Sequence, residues 1–355
     1  MFEGPGSKKQ EDIIDIFNKY KGALTEYVDK VVYARAGLNK YVSEDDKKKV
    51  AERKREAERT NENENYETHL RAKIFEGVLI KHGNEIFGES ARTIITSEYD
   101  DWENGADMIL EGKQEGGKPI RVAIDAALSM DTRNINKKNN LIFNELERLD
   151  IPSKKEFFSL KYFSPTGGKP EEIHSIPRVV LGIHSENFNE VLDDVRGGKK
   201  GISELRRIFL TMMKNQLENQ FVVALGTNGE KMDSKERNGE KLSPEFTKDT
   251  RDLYPLSKKA VKNGWKEKDI NTLFSLFLKN RTIFSMKQLS LPEYYTLLEN
   301  ISEAWEWTRK ELLDDDVKHI LKEDQTDWEH NEVVEKLEEH LDEDRALKHR
   351  PFLAA

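Results

Sequence analysis

The sequence predicts an α/β protein, a mixed sheet of about five strands flanked by helices, with helical additions at both ends. Three observations carry this. Apolar residues recur at three-to-four spacing near the N-terminus, then give way to short β-branched runs, then return to helical spacing. Between residues 62 and 185 the order reads helix, three strands, helix, strand, strand. Finally, 36% hydrophobic against 35% charged residues is too little core for 355 residues, so part of the chain must be solvated helix.

Taken in order, "EDIIDIFNKYKGALTEYVDKVVYA" places Phe17, Tyr20, Leu24, Tyr27, Val28 and Val31 on a helical stripe. "SEDDKKKVAERKREAERT" mixes acids and bases with almost nothing apolar, which predicts a solvated helix held by ion pairs rather than a phosphate-contacting one. "NENEN", 61–65, reads as a linker or helix start. A helix follows over 66–82, closed by "HGNEIFG". "RTIITS", "ADMILEG" and "IRVAIDAALS" read as three strands, with "YDDWENG" and "GGKP" as turns. A helix over 131–149 and strands over 156–164 and 177–185 complete the core. Helix returns at 203–225, a polar stretch from 226 to 250 reads as an exposed loop, and the remainder reads as helix. The predicted organisation is an N-terminal helical extension (1–61), an α/β core (62–226), an exposed loop (227–250) and a helical C-terminal region with an acidic tail (251–355).

Several function classes are excluded. With no cysteine there is no disulfide, thiolate metal site or cysteine nucleophile. No G-x-S-x-G, HExxH or Walker pattern occurs, and His174 and His184 read as structural. No run approaches a membrane span and the N-terminus lacks an apolar signal region, so a soluble cytoplasmic protein without a membrane partner is expected. The net charge of −9 is concentrated at one end: residues 310–350 hold fifteen Asp/Glu against seven Lys/Arg. A nucleic-acid-binding face elsewhere is compatible with that balance, and the acidic tail suits a basic protein partner. A homo-oligomer is the alternative to that basic partner.

The chemistry-bearing feature is a pair of aspartates inside apolar strands. Asp107 precedes "MIL" and Asp125 interrupts "VAIDAAL". Adjacent strands lie about 4.8 Å apart, so two carboxylates on one face can share a divalent cation such as Mg²⁺. An unpaired buried carboxylate is costly, and a metal is one remedy. On a 100°-per-residue wheel over 66–82, Glu67 falls on the apolar face with Leu70, Ile74, Phe75, Val78 and Leu79, while Glu76 points away. Glu67 is therefore either a third site acid or a helix-N-terminal acid favoured by the dipole.

These residues resemble the PD-(D/E)XK nuclease superfamily, the restriction-endonuclease-like fold, over residues 62–185. "NGAD" resembles the first motif aspartate (Asp107), "AIDAAL" the second acid (Asp125), and "YETHLRAKIF" the leading helix with its glutamate (Glu67). The resemblance implies Mg²⁺- or Mn²⁺-dependent hydrolysis of DNA or RNA phosphodiesters. The sequence departs from the motif where a lysine should follow Asp125 by two residues, since Ala127 stands there. Lys138, between Ile135 and Ile142 on the inward helix face, is the substitute, with Lys161 as the alternative; a snorkelling surface lysine is the competing reading.

Other acids and bases have plainer readings. Glu98, Asp100 and Asp101 solvate a turn rather than join the site. Lys199, Lys200, Arg206 and Arg207, at the start of a helix, either contact phosphate or form solvated surface. The competing functional readings are a catalytically inactive nuclease-fold protein acting in nucleic-acid binding or assembly, and an α/β scaffold whose helical C-terminal end does the work.

Overall fold

A computed structural model of the chain describes residues 15–60, 66–113, 117–129, 132–147, 158–237, 274 and 292–323. It is a mixed α/β structure in two compact units, Met1–Asn139 with Lys155–Phe209, and Asn140–Lys154 with Leu210–Ala355.

In the first unit, a helix over 15–23 continues through a π-helical turn, Leu24–Val28, into α1 (Asp29–Asn39). Then come α2 (Glu44–Thr60), α3 (Tyr66–Lys81), a short α4 (Gly83–Phe87) and β1 (Ala91–Ile95). The hairpin strands β2 (Met108–Gly112) and β3 (Ile120–Ser129) follow α5 (Glu98–Asn104). After α6 (Thr132–Glu147) come β4 (Leu160–Phe163), β5 (Glu171–Ile173), β6 (Arg178–His184), α7 (Phe188–Arg196) and α8 (Lys199–Arg237), of which α6 beyond Asn139 and α8 beyond Phe209 belong to the second unit. The main sheet has the order β1-β2-β3-β6, antiparallel except for the parallel β3–β6 pair. One face carries Ile109 and Ala123, which pack with Leu160, Phe163 and Ile176. On the other, the Thr93 hydroxyl donates to the Leu79 and Ile80 carbonyls of α3, and Ile95 joins Val31 and Leu38.

The N-terminal segment is part of this core. Tyr27 is 2% exposed, and a Cβ at Gly77 of α3 would lie 2.3 Å from the Tyr27 carbonyl oxygen. Glycine at 77 therefore lets two helix backbones touch.

Three predicted elements are corrected. The main sheet has four strands rather than about five, because β4 pairs only with β5 in a separate two-stranded sheet. The reason lies in "YDDWENG", which is helix α5 and not a turn. The Asp100 carboxylate accepts from the backbone N–H of Lys161 (2.8 Å) and Tyr162 (3.0 Å), so a side chain takes β4 donors that a sheet neighbour would otherwise use. Ser97 caps α5, its hydroxyl accepting from the Asp100 N–H, and Gly105 closes it in the left-handed region (φ 62°). The third correction concerns α8, which runs on to Arg237 through a stretch read as loop. Gly226 and Gly229 in that stretch cost about 2 kcal/mol, which a helix already nucleated upstream absorbs.

Asp100 is fully buried and also accepts from Asn104 Nδ2 and Ser97 Oγ, both at 2.8 Å. Asp100→Ala strips four donors of their acceptor and is expected to cost about 3 kcal/mol, read as a lowered urea midpoint at unchanged m.

In the second unit, the described residues of α8 and of α9 (Pro292–Glu323) pack through aromatic stacking. Phe274 lies between Phe221 and Trp305, with centroids 4.0 Å apart on both sides, and the Trp305 indole donates to Glu218 (2.9 Å). No helix among the described residues is long and apolar enough to cross a membrane. The linker over 61–65, residues 238–250 of the expected loop and the acidic tail beyond Glu323 lie outside the described residues.

Candidate active site

Asp107 stands one residue before β2, rather than within it, and Asp125 lies in β3. The hairpin register pairs Met108 with Ile124. The paired register ends there, and Asp107 stands just beyond it. The Asp107 N–H donates to the Ile124 carbonyl (2.9 Å), and its carboxylate accepts from the Ala126 N–H (2.8 Å). Thr96 fixes the Asp107 carbonyl from the β1 side through its hydroxyl (2.8 Å). The aspartate is thus held rigidly at the open end of the hairpin.

The cation expected near the pair is present. Lys138 Nζ lies 2.7 Å from Asp125 Oδ1, placed by the first half of α6. Lys138 is half-exposed and Asp125 largely buried. Burial and the neighbouring charge of Asp107 raise the Asp125 carboxyl above its usual range, against the pull of Lys138. Against partial desolvation, Asp125, Asp107 and Asp101 keep the Lys138 ammonium above its ordinary value.

Two further acids join this pair, and neither was expected. Glu76 of α3 is 5% exposed, with Oε1 2.6 Å from Lys73 Nζ. Burial, then the charge of Asp107, push its carboxyl up to about 8, despite Lys73 and Arg35. Burial, then the charge of Asp107, push the carboxyl of Asp101 in α5 up to about 7. Arg35 of α1 donates to Asp101 Oδ2 (2.7 Å) and to the Asp107 carbonyl (3.2 Å). The result is a row of four carboxyls, Asp125, Asp107, Asp101 and Glu76, served by Lys138, Arg35 and Lys73.

Glu67 is not in this row. It pairs with Arg71, accepts from the Tyr20 hydroxyl (3.2 Å) and lies 3.7 Å from Lys19. Nine residues separate it from Glu76, about 13 Å along the helix axis. The helical wheel failed because α3 is not amphipathic: residues 74–79 are all buried, with the N-terminal helices covering the face that carries Glu76. Six successive residues of "IFEGVL" with one acid among them was the available signal, since a helix buried all round leaves no solvent face for its charge. Asp101 was hidden by reading α5 as a turn, although Ser97, Asp100 and Gly105 form a cap-to-cap signature. Arg35, in a helix with no marked apolar face, had no local signal at all.

Lys161 is also excluded from the row. Its ammonium bonds Asp46 Oδ2 (2.6 Å) in α2, beside the Tyr162 hydroxyl (2.7 Å). Although burial opposes it, those donors with Lys49 and Ser43 hold the Asp46 carboxyl well below the usual range. The solvated reading of α2 fails here, and also where Lys54 pairs with Glu98 and Arg53 with Glu103 of α5. Of the basic cluster, Arg206 is buried at 8% exposure and is no surface phosphate contact, while Arg207 is exposed. The side chains of Lys199 and Lys200 lie outside the described residues.

Among the described residues, no three Asp, Glu or His side chains form a ready-made metal cage. Mg²⁺ seldom requires one, since it keeps several waters and takes one or two carboxylates plus substrate phosphate. Asp107, whose carboxylate reaches the Ala126 N–H, and the neighbouring Asp125 supply two such carboxylates. Glu76 Oε2, a buried oxygen that accepts no hydrogen bond, faces Arg35 at 3.9 Å. The donor set therefore fits a hard divalent cation. Compared with protein-family models, curated proteins and solved structures, the chain matches none.

Proposed function

We propose that the chain is a divalent-metal-dependent nuclease built on a restriction-endonuclease-like core, hydrolysing phosphodiester bonds of DNA or RNA. The observation that supports this is the Asp107 carboxylate bonded to the Ala126 N–H (2.8 Å), one residue from Asp125, whose own carboxylate lies 2.7 Å from the Lys138 ammonium. The strand order β1-β2-β3-β6 with a parallel β3–β6 step supports the fold reading. Asp107 and Asp125 would hold Mg²⁺ or Mn²⁺, and Glu76, in place of Glu67, is the helix acid beside them. Bound there, the metal supplies a polarised phosphoryl oxygen and a water of lowered pKa. Lys138 contributes a fixed positive charge for the anion developing at phosphorus, the task Ala127 cannot perform.

Purified protein incubated with plasmid, single-stranded DNA and RNA should cleave at least one in Mg²⁺ or Mn²⁺ and none in chelator. Lys138→Ala should slow that cleavage by about 10²-fold, with the thermal transition little changed because the lysine is half-exposed. Absence of cleavage on all three substrates counts against the reading.

A second reading has its own observation. Asp125, Asp101 and Glu76 each already have a cation within bonding range, so the row is partly self-neutralised. An inactive nuclease-fold protein that binds nucleic acid or assembles with partners is consistent with that. It predicts binding without turnover and a melting temperature indifferent to divalent cations.

A further inference from the structure

We propose that Arg35 acts as a built-in cation in place of a second metal ion, so that the site admits one divalent cation fewer than its acids could hold. This rests on the nuclease reading for the first ion, at Asp107 and Asp125, but its own evidence is separate. Three oxygens from three elements converge on one guanidinium. Arg35 Nη1 lies 2.7 Å from Asp101 Oδ2 and 3.9 Å from Glu76 Oε2, and Nη2 lies 3.2 Å from the Asp107 carbonyl oxygen. Two carboxylates and a carbonyl are the ligand types a hard cation takes.

The Glu76 side gives the independent sign of a cation position. Its carboxyl is 5% exposed, and Oε2 accepts no hydrogen bond although it is directed at Arg35. A buried carboxylate oxygen left with electrostatic contact alone is expensive unless a cation sits before it. Arginine cannot lose its proton in a protein, so it is a permanent occupant where a metal would exchange. Lys73, 2.6 Å from Oε1, fixes the other oxygen and keeps Glu76 aimed inward.

The N-terminal helical segment thereby sets the metal count of the site. Removing the guanidinium leaves Glu76 and Asp101 beside Asp107 without their shared cation. Lys73 still holds Glu76 Oε1, and the place of the guanidinium, before Oε2, Asp101 Oδ2 and the Asp107 carbonyl, is left for a divalent ion.

The test is Mn²⁺ titration of the full chain at about pH 8, free Mn²⁺ being read by electron paramagnetic resonance. Wild type should bind one ion, Arg35→Ala two, and Arg35→Lys one. Arg35→Ala with Glu76→Gln should return to one. Equal stoichiometry in wild type and folded Arg35→Ala overturns the proposal, as does wild type binding two. No ion in wild type and one in Arg35→Ala upholds the Arg35 assignment and removes the nuclease reading. Should Arg35→Ala be unfolded in chelator, Mn²⁺ must restore its near-ultraviolet dichroism, and failure to do so overturns the proposal.

Discussion

Asp107→Ala and Asp125→Ala are each expected to lower divalent-dependent cleavage by about 10³-fold or more. The size follows from what a bound metal does: several kcal/mol of transition-state charge stabilisation, at a factor of ten for each ~1.4 kcal/mol. Asp107 reaches the Ala126 N–H beside Asp125, so either loss halves this proposed pair of ligands. The substitutions differ in structural cost. Asp125→Ala frees a half-exposed Lys138, which water can solvate. Asp107→Ala strands the Ala126 N–H, so Asp107→Asn, which keeps an acceptor there, is the better control. Initial rates on the cleaved substrate, with circular dichroism to confirm folding, check this. Rates within about 10-fold of wild type for both variants would show that these aspartates do not hold a catalytic metal.

The second large effect is a dependence of stability on pH that Glu76 controls. Its carboxyl is held near 8 in the folded protein, against about 4.5 when exposed, by burial first and Asp107 second. The folded state therefore binds the proton more tightly than the unfolded state between those values. Stability linked to Glu76 is complete below about 4.5 and is lost as pH rises through about 8. At 1.36 kcal/mol per pKa unit, and with the charge shared along the row, the loss amounts to about 2–4 kcal/mol. Glu76→Gln mimics the protonated form and removes the penalty. In chelator, wild type should lose several degrees of melting temperature between pH 5.5 and 8.5, with a markedly flatter profile for Glu76→Gln. Parallel profiles would mean that Glu76 is ionised throughout.

The half of the site carried by the hairpin was legible in the sequence, for a definite reason. Asp125 interrupts an apolar strand run, and the hairpin then brings the residue before β2, Asp107, to the Ala126 N–H beside it. Lys138 was legible because it sits among apolar residues on one helix face. The other half depends on contacts between segments far apart in the chain. Arg35 reaches Asp101 across 66 residues and the Asp107 carbonyl across 72, and neither partner pattern shows in its own helix. Glu76 was missed for a related reason. A helical wheel assumes one buried side, whereas the N-terminal helices and the sheet enclose α3 from two. Treating residues 1–61 as an addition to the core concealed both. The loss of β4 from the main sheet has the same character, since it follows from the Asp100 side chain and not from any property of "LKYF" itself.

The central claim is that Asp107 and Asp125 together bind a divalent cation. Anomalous scattering from crystals soaked in manganese chloride tests it most directly. The predicted result is a single strong peak within about 2.5 Å of a carboxylate oxygen from each aspartate. A peak that touches neither, or a difference map empty at the open end of the β2–β3 hairpin, would contradict the account.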